Sequence, residues 1–213
     1  MSTLMRAPQP CASWEWELDG FAPPGLDSAL MTAARMTVVL REHGLLEPSK
    51  LEWKWLLPGR GSIGAGTSVA LKGSLNEAEL GQKIQLFRPV GFPDAEVGAL
   101  MVSGMGTWLD AEGREHHEAD LVELTVYPDE RHLAAEVAVF HDIWGYCDFK
   151  GLPHPDLQKR NAPRLAAMLQ GLESLLGATA EPGDPTYFGH AEGYSIEMPD
   201  LIEGRGPDLT DML

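Results

Sequence analysis

The densest group of potentially reactive side chains in this 213-residue chain lies between positions 141 and 148. His141, Asp142 and Cys147 stand close together there, and a histidine beside a cysteine is a pairing that produces a thiolate nucleophile. The stretch contains no lysine or arginine that would lower the pKa of the thiol. We therefore predict no catalytic residue, and we keep a small-molecule enzyme or ligand-binding pocket around these three residues and His190 as an alternative.

A second group of ligand-type side chains follows the period of a β-strand. His116, Glu118 and Asp120 occupy alternate positions, so a continuous strand would point all three to one face. Imidazole and carboxylate groups bind zinc, but a site needs a fourth ligand, and no second cluster has the required spacing. We predict no metal and no cofactor, and we interpret these residues as a solvated strand end beside a hairpin.

The glycine-rich segment 59–66 contains the pattern G-x-G-x-x-G after a predicted strand. In a dinucleotide-binding site this pattern opens a helix, whose N-terminal amides contact the pyrophosphate. Residues 67–71 instead predict a strand, so the segment indicates a hairpin or loop.

Charge gives the strongest indication of function. The chain has 32 acidic and 16 basic residues, for a formal net charge of −16. Such a protein repels phosphate, which excludes a general nucleic-acid binder and a basic membrane-surface protein. The excess is concentrated in residues 97–213, with 21 acids and 7 bases, and a field of this kind speeds encounter with a basic partner.

These observations predict an acidic cytoplasmic protein that occludes or neutralises a basic partner protein, with a toxin or a nucleic-acid-binding protein as the candidate classes. In composition alone, the chain resembles small inhibitors such as immunity proteins. Carboxylates from positions 110–123 would meet lysine and arginine side chains, with aromatic anchors at the centre. The predicted partner-binding residues are Trp108, Asp110, Glu112, Glu115, Glu118, Asp120, Glu123 and Trp144.

The ends of the chain add two expectations. Residues 1–11 lack the apolar run of a secretory signal, and no apolar window is long enough to span a membrane, which favours a cytoplasmic location with reduced cysteines. Residues 197–213 form an acidic tail after a single domain of residues 1–196. A third hypothesis is therefore a structural or assembly subunit that docks through this tail, with the oligomeric state left open.

Hydrophobic periodicity predicts the elements that position these groups. Alternation predicts strands at 13–19, 51–57 and 68–71, then an antiparallel meander at 97–109, 119–127 and 133–141 with a turn at 110–113, and a last short strand at 186–188. Because strands and helices do not alternate regularly, we predict an α+β fold, a mainly antiparallel sheet of about six strands with a central meander packed by about three helices.

The three predicted helices each have a start signal and an apolar stripe. Asp27 caps the first helix, a capping box at 74–77 starts the second, and Asn161 caps the third. The stripes are Leu30, Met31, Ala34 and Val38 in the first, Leu80, Ile84 and Phe87 in the second, and Leu165, Met168, Leu169, Leu172 and Leu176 in the third.

Overall fold

The computed structural model describes residues 4–71, 73, 75, 79–129 and 131–213. Within those residues, three α-helices and an antiparallel sheet form the α+β fold that the sequence predicts. The main sheet has eight strands rather than about six, and a separate two-stranded sheet lies near the C-terminus. None of the helices in the described part of the chain is both long and apolar enough to cross a membrane.

The main sheet contains β1 (Ala12–Glu17), β2 (Glu47–Leu57), β3 (Gly61–Ala70), β4 (Glu96–Leu109), β5 (Glu115–Ala119), β6 (Val122–Pro128), β7 (Leu133–Val139) and β8 (Glu181–Pro182). Their order is β3-β2-β4-β6-β7-β1-β8, and β5 also pairs with β4. The predicted turn at 110–113 joins β4 to β5, so the central meander is confirmed. The small sheet pairs β9 (Ala191–Glu192) with β10 (Ser195–Ile196).

One face of the main sheet is buried. A single cross-strand row runs through β1, β7, β6, β4 and β2, and its members are Trp14, Val137, Leu124, Val102 and Leu51. Helix α1 (Leu26–Glu42) packs against β6 and contacts both α2 (Leu80–Leu86) and α3 (Pro155–Leu176). Strand alternation leaves the next row, which includes Glu15 and Glu136, on the opposite, open face.

The buried side of α1 differs from the predicted stripe. Leu30 is buried as predicted, together with Ala29, Ala33, Met36 and Leu40, whereas Met31 and Val38 are half exposed. Small side chains let the helix approach the sheet closely, and hydrophobicity alone does not reveal that preference. Residue Gly25 is the N-cap, and Asp27 lies inside the first turn rather than capping it.

Helix α3 begins earlier than predicted, because Pro155 rather than Pro163 occupies its first turn. Asn161 is therefore not a cap but a fully buried residue inside the helix. Its side chain accepts a hydrogen bond from the backbone N–H of Leu109 at 2.9 Å and donates to the carbonyl of Leu109 at 2.8 Å. The predicted apolar stripe of α3 is confirmed, and Gly177 ends the helix in the left-handed conformation.

The other predicted elements have mixed outcomes. The glycine-rich segment forms a turn and the edge strand β3, so it does not open a helix. The predicted strand at 186–188 is wrong, since only an isolated bridge between Thr186 and Gly189 forms there. The two residues of the predicted capping box, Ser74 and Glu77, lie outside the described residues, and α2 is described from Leu80 onward.

We expect Asn161→Ala to destabilise the fold by roughly 2–4 kcal/mol, because it leaves the partly buried N–H and C=O of Leu109 without their partner. Urea unfolding monitored by circular dichroism measures this loss. Gln170→Ala, at an exposed position of the same helix, is the control and should change stability by less than about 0.5 kcal/mol. Equal effects for the two variants would contradict the assigned role of Asn161.

Candidate functional site

The two predicted aromatic anchors are buried in the folded chain. Trp108 is 8% exposed and Trp144 is 0% exposed. The ring of Trp108 stacks on His116 with 4.6 Å between centroids, and Trp144 lies in the 3₁₀ turn Asp142–Trp144. Neither side chain is available on the surface as the centre of an interface, because both indoles are used in packing.

The carboxylates of the β4–β5 hairpin have local partners. Asp110 Oδ2 accepts a hydrogen bond from Arg114 Nε at 2.7 Å and lies 2.9 Å from His116 Nε2. The contact with His116, together with the bonds from Arg114, holds the pKa of Asp110 well below its usual range. Glu112 forms an ion pair with the same arginine at 2.9 Å. Glu115 is exposed, and its charge acts on Arg164 of α3.

The other three predicted residues lie at the end of this hairpin and just beyond it. Glu118 is half-buried in β5, and Asp120 has a φ of 53° in the break between β5 and β6. The alternation that would align Asp120 with His116 and Glu118 therefore does not continue. No group of three His, Cys, Asp or Glu side chains among the described residues is arranged to hold a metal ion. Further along, Glu123 forms an ion pair with Arg6 at 2.5 Å.

A different set of carboxylates converges at the edge of the sheet formed by β1 and β8. Glu15 on β1 lies opposite Glu136 on β7 and opposite Glu181 on β8. Partial desolvation, followed by the charges of Glu136, Asp184, Glu17 and Glu181, raises the pKa of Glu15. We call these five residues the acidic edge.

No ion pair involving the acidic edge occurs in the part of the chain that the structure describes. Among the described residues, the neutral hydroxyl of Tyr127 donates a hydrogen bond to Glu136 Oε2 at 2.7 Å. Sequence reasoning missed this set because Glu15 and Glu17 come from the half of the chain with nearly balanced charge. Their alternation with tryptophans predicted a half-buried strand, but not which strands would lie beside it.

A pocket of about 350 Å³ lies beside this edge. The residues of the predicted alternative site, His141, Asp142, Cys147 and His190, all line it. Sequence proximity brings the first three together, whereas His190 arrives on the loop before β9. Cys11, from the start of the chain, completes this wall.

The innermost polar groups of the pocket are His141 and Asp142, which are 2% and 3% exposed. Asp142 Oδ1 accepts a hydrogen bond from the backbone N–H of Met5 at 3.2 Å, but Oδ2 has no hydrogen-bond partner among the described residues. Nδ1 of His141 and Nδ1 of His190 are likewise buried and unpartnered there. Desolvation raises the pKa of Asp142 to about 6 and lowers the pKa of His141 to about 4.

The pocket walls are aromatic and acidic. Tyr146, Phe149, Tyr187 and Phe188 supply rings, and Phe149 meets Phe188 edge to face with 5.4 Å between centroids. Asp148, Glu197 and Asp200 supply carboxylates, and no lysine or arginine is found among the described residues that line the pocket.

Both thiols in the pocket are held in the protonated form. Desolvation raises the pKa of Cys147 and raises the pKa of Cys11 further. A thiol is a poor nucleophile compared with a thiolate. The geometry therefore gives no support to Cys147 as a catalytic nucleophile.

The C-terminal tail forms part of this pocket. The backbone N–H of Leu209 donates to Phe149 O at 2.8 Å, and that of Gly206 donates to Gly151 O at 3.0 Å. A Cβ at Gly151 would overlap the backbone of Gly206, so glycine is required for this approach. Residues 197–213 thus pack on their own chain, and several of them line the pocket.

One segment connects the acidic edge to the pocket. After Glu181, the N–H of Gly183 donates to Ser13 O at 2.9 Å, and the chain then reaches Pro185, which lines the pocket. The hydroxyl of Thr186 fixes this loop by donating to Pro10 O at 2.6 Å. The acidic edge and the pocket are therefore linked by the segment that follows β8.

Comparisons with protein-family models, with curated proteins and with solved structures found no match to this chain. The arrangement of charges and cavities is therefore the basis on which a function can be inferred.

We expect Glu15→Gln to stabilise the protein by roughly 0.2–1 kcal/mol at pH 7, because it removes a charge that lies directly opposite other carboxylates. The raised pKa of Glu15 means that acidification protonates it sooner in the folded than in the unfolded state, so the gain should shrink as the pH falls. Urea unfolding at pH 7 and at about pH 4 measures both effects.

Glu112→Gln is the matched control for this measurement. It removes one exposed carboxylate that has an arginine partner, so it should leave stability unchanged or slightly lower. An equal gain from both variants would show that overall net charge, rather than crowding at the acidic edge, limits stability.

Proposed function

We propose that the protein is an acidic binding protein that occludes a basic partner protein, and that the acidic edge is its docking surface. The observation that carries this proposal is the register of Glu181, Glu15 and Glu136, which aligns three carboxylates across neighbouring strands without an ion-pair partner among the described residues.

Like charges placed directly opposite each other destabilise a sheet. This repulsion lowers the stability of the free protein. A cationic surface that neutralises the carboxylates relieves the repulsion, which makes the free energy of binding more favourable. Lysine and arginine side chains would be attracted over a distance and would then bind between the carboxylates, which increases both the association rate and selectivity. Glu15, Glu17, Glu181 and Asp184 are exposed and so can meet a partner without rearrangement.

The segment 110–123, which includes the turn, β5 and the start of β6, supports this role less well than the acidic edge does. Its carboxylates at Asp110, Glu112 and Glu123 already have cationic partners on the same chain. A toxin or nucleic-acid-binding protein, whose active surface is cationic, is the class of partner that the charge favours. An inhibitor of this immunity-protein type would act in the cytoplasm, where the unpaired thiols of Cys11 and Cys147 stay reduced.

A pair of triple variants tests the proposal with poly-L-lysine as the probe. The edge variant carries Glu15→Gln, Glu181→Gln and Asp184→Asn. The hairpin variant, with Glu112→Gln, Glu115→Gln and Glu118→Gln, changes the net charge by the same amount. We expect the edge variant to slow association about tenfold at low salt, because it removes the field that steers the probe. The hairpin variant should slow it less than about threefold.

Stopped-flow association at low and at near-physiological salt provides the measurement. The difference between the two variants should diminish as salt screens the charges. Equal losses for the two variants would mean that net charge alone governs the encounter, and the assignment of the acidic edge would then be wrong.

A further inference from the structure

The pocket contains a buried carboxylate oxygen that is not satisfied by the described part of the chain. Oδ2 of Asp142 has no hydrogen-bond partner there, although the residue is 3% exposed. Buried polar atoms are nearly always hydrogen-bonded, and leaving a charged one unpaired costs more than leaving a neutral one unpaired. A group that donates hydrogen bonds and carries positive charge would satisfy this oxygen.

We propose that the pocket binds one ammonium or guanidinium group, which donates to Asp142 and is surrounded by the aromatic and acidic walls. Either a small amine or guanidine compound or a lysine or arginine side chain of a partner protein supplies this chemistry. The pocket volume of about 350 Å³ suits a ligand at the small end of the usual range.

The neighbouring histidine is compatible with a cation. His141 has a lowered pKa of about 4, so its ring is neutral near pH 7 and does not repel positive charge. Its buried, unpartnered Nδ1 offers a second position for a donor from the ligand in the tautomer that leaves this nitrogen unprotonated. The ring of His190 presents a similar nitrogen from the opposite loop.

The walls favour a cation over other ligands. Rings such as those of Tyr146 and Phe149 attract cations to their faces, and Tyr187, which is 73% exposed, stands where an entering group would meet it. Phosphate or carboxylate ligands would face Asp148, Glu197 and Asp200 with no lysine or arginine among the described lining residues. The pocket therefore discriminates by charge as well as by size.

This inference adds a specific recognition point to the proposed function, but it rests on the pocket alone. The acidic edge attracts a partner through exposed charges, whereas the pocket requires the buried Asp142. A small amine could occupy the pocket even if no protein docks on the edge, so the two proposals can fail separately.

Binding should weaken as the pH falls through about 6, where Asp142 becomes protonated. A bound cation favours the ionised carboxylate, so affinity is full above this pKa and is lost below it. The other groups around Asp142 are Asp148, which raises its pKa, and the backbone N–H groups of Met5 and Phe149, which lower it. His154 at the start of α3, and His141 with Arg6 from the N-terminal segment, also lie nearby. The pKa of His141 is already below this range, so protonation of Asp142 should dominate the change.

Isothermal titration calorimetry with ethylguanidinium and n-butylammonium tests the proposal, with 1-butanol and butyrate as the neutral and anionic controls. We expect saturable binding of at least one cation and none of either control. Asp142→Asn should weaken cation binding at least tenfold, because it removes the charge while keeping the shape of the side chain. Asp156→Asn, an acidic position outside the pocket in the first turn of α3, should leave the affinity within about twofold.

Tyr187→Ala provides a second variant at an exposed position, and it should weaken cation binding by about threefold through the lost ring. Circular dichroism of each variant establishes that it is folded. Equal binding of 1-butanol, undiminished binding by a folded Asp142→Asn variant, or absence of binding by both cations would overturn the inference.

The same titrations separate the two sources of the cation and the two proposals. If Nα-acetyl-lysine amide or the corresponding arginine amide binds more tightly than the small cations, the pocket receives a side chain; the reverse order indicates a free amine or guanidine compound. The triple variant of the acidic edge should keep ethylguanidinium affinity within about threefold. If that variant loses all cation binding while Asp142→Asn keeps it, the cation binds at the edge and the pocket assignment is wrong.

Discussion

The acidic edge and the pocket both depend on the pairing of β1 with β7 on one side and β8 on the other. This N-terminal strand carries Glu15 into line with Glu136 and Glu181, which lie more than a hundred residues away in sequence. The same pairing brings Cys11 to the pocket and places the Met5 amide against Asp142. Without β1 in this position, neither the acidic edge nor the inner wall of the pocket would form.

The distribution of charge matters more than its total. Asp110 and Glu112 in the β4–β5 hairpin form ion pairs with Arg114, so they contribute to the local structure of the turn. Carboxylates along β1 and β8 have no such partners in the described residues, and together with partial desolvation their charges raise the pKa of Glu15. Acidic residues thus have different roles according to which cationic side chains the fold places beside them.

Sequence patterns correctly predicted the features that depend on residues close together along the chain. Alternation identified the meander, the hairpin turn and the apolar stripe of α3, and proximity identified the His141 to Cys147 group. The predicted start of α3 was wrong because two prolines compete for the first turn of the helix. The complete burial of Trp144 was not predicted, because it depends on segments that are distant in sequence. The acidic edge and the depth of the pocket arise from strand pairing and tail packing, which no local pattern encodes.

The packing of the tail against residues 149–151 has a consequence for biosynthesis. Leu209 and Gly206 provide the last backbone hydrogen bonds around the pocket, while Met5 and Cys11 provide contacts from the opposite end of the chain. Both ends are needed, so a nascent polypeptide cannot complete this cavity until residue 209 has emerged from the ribosome. The pocket is therefore one of the last parts of this fold to be completed during synthesis.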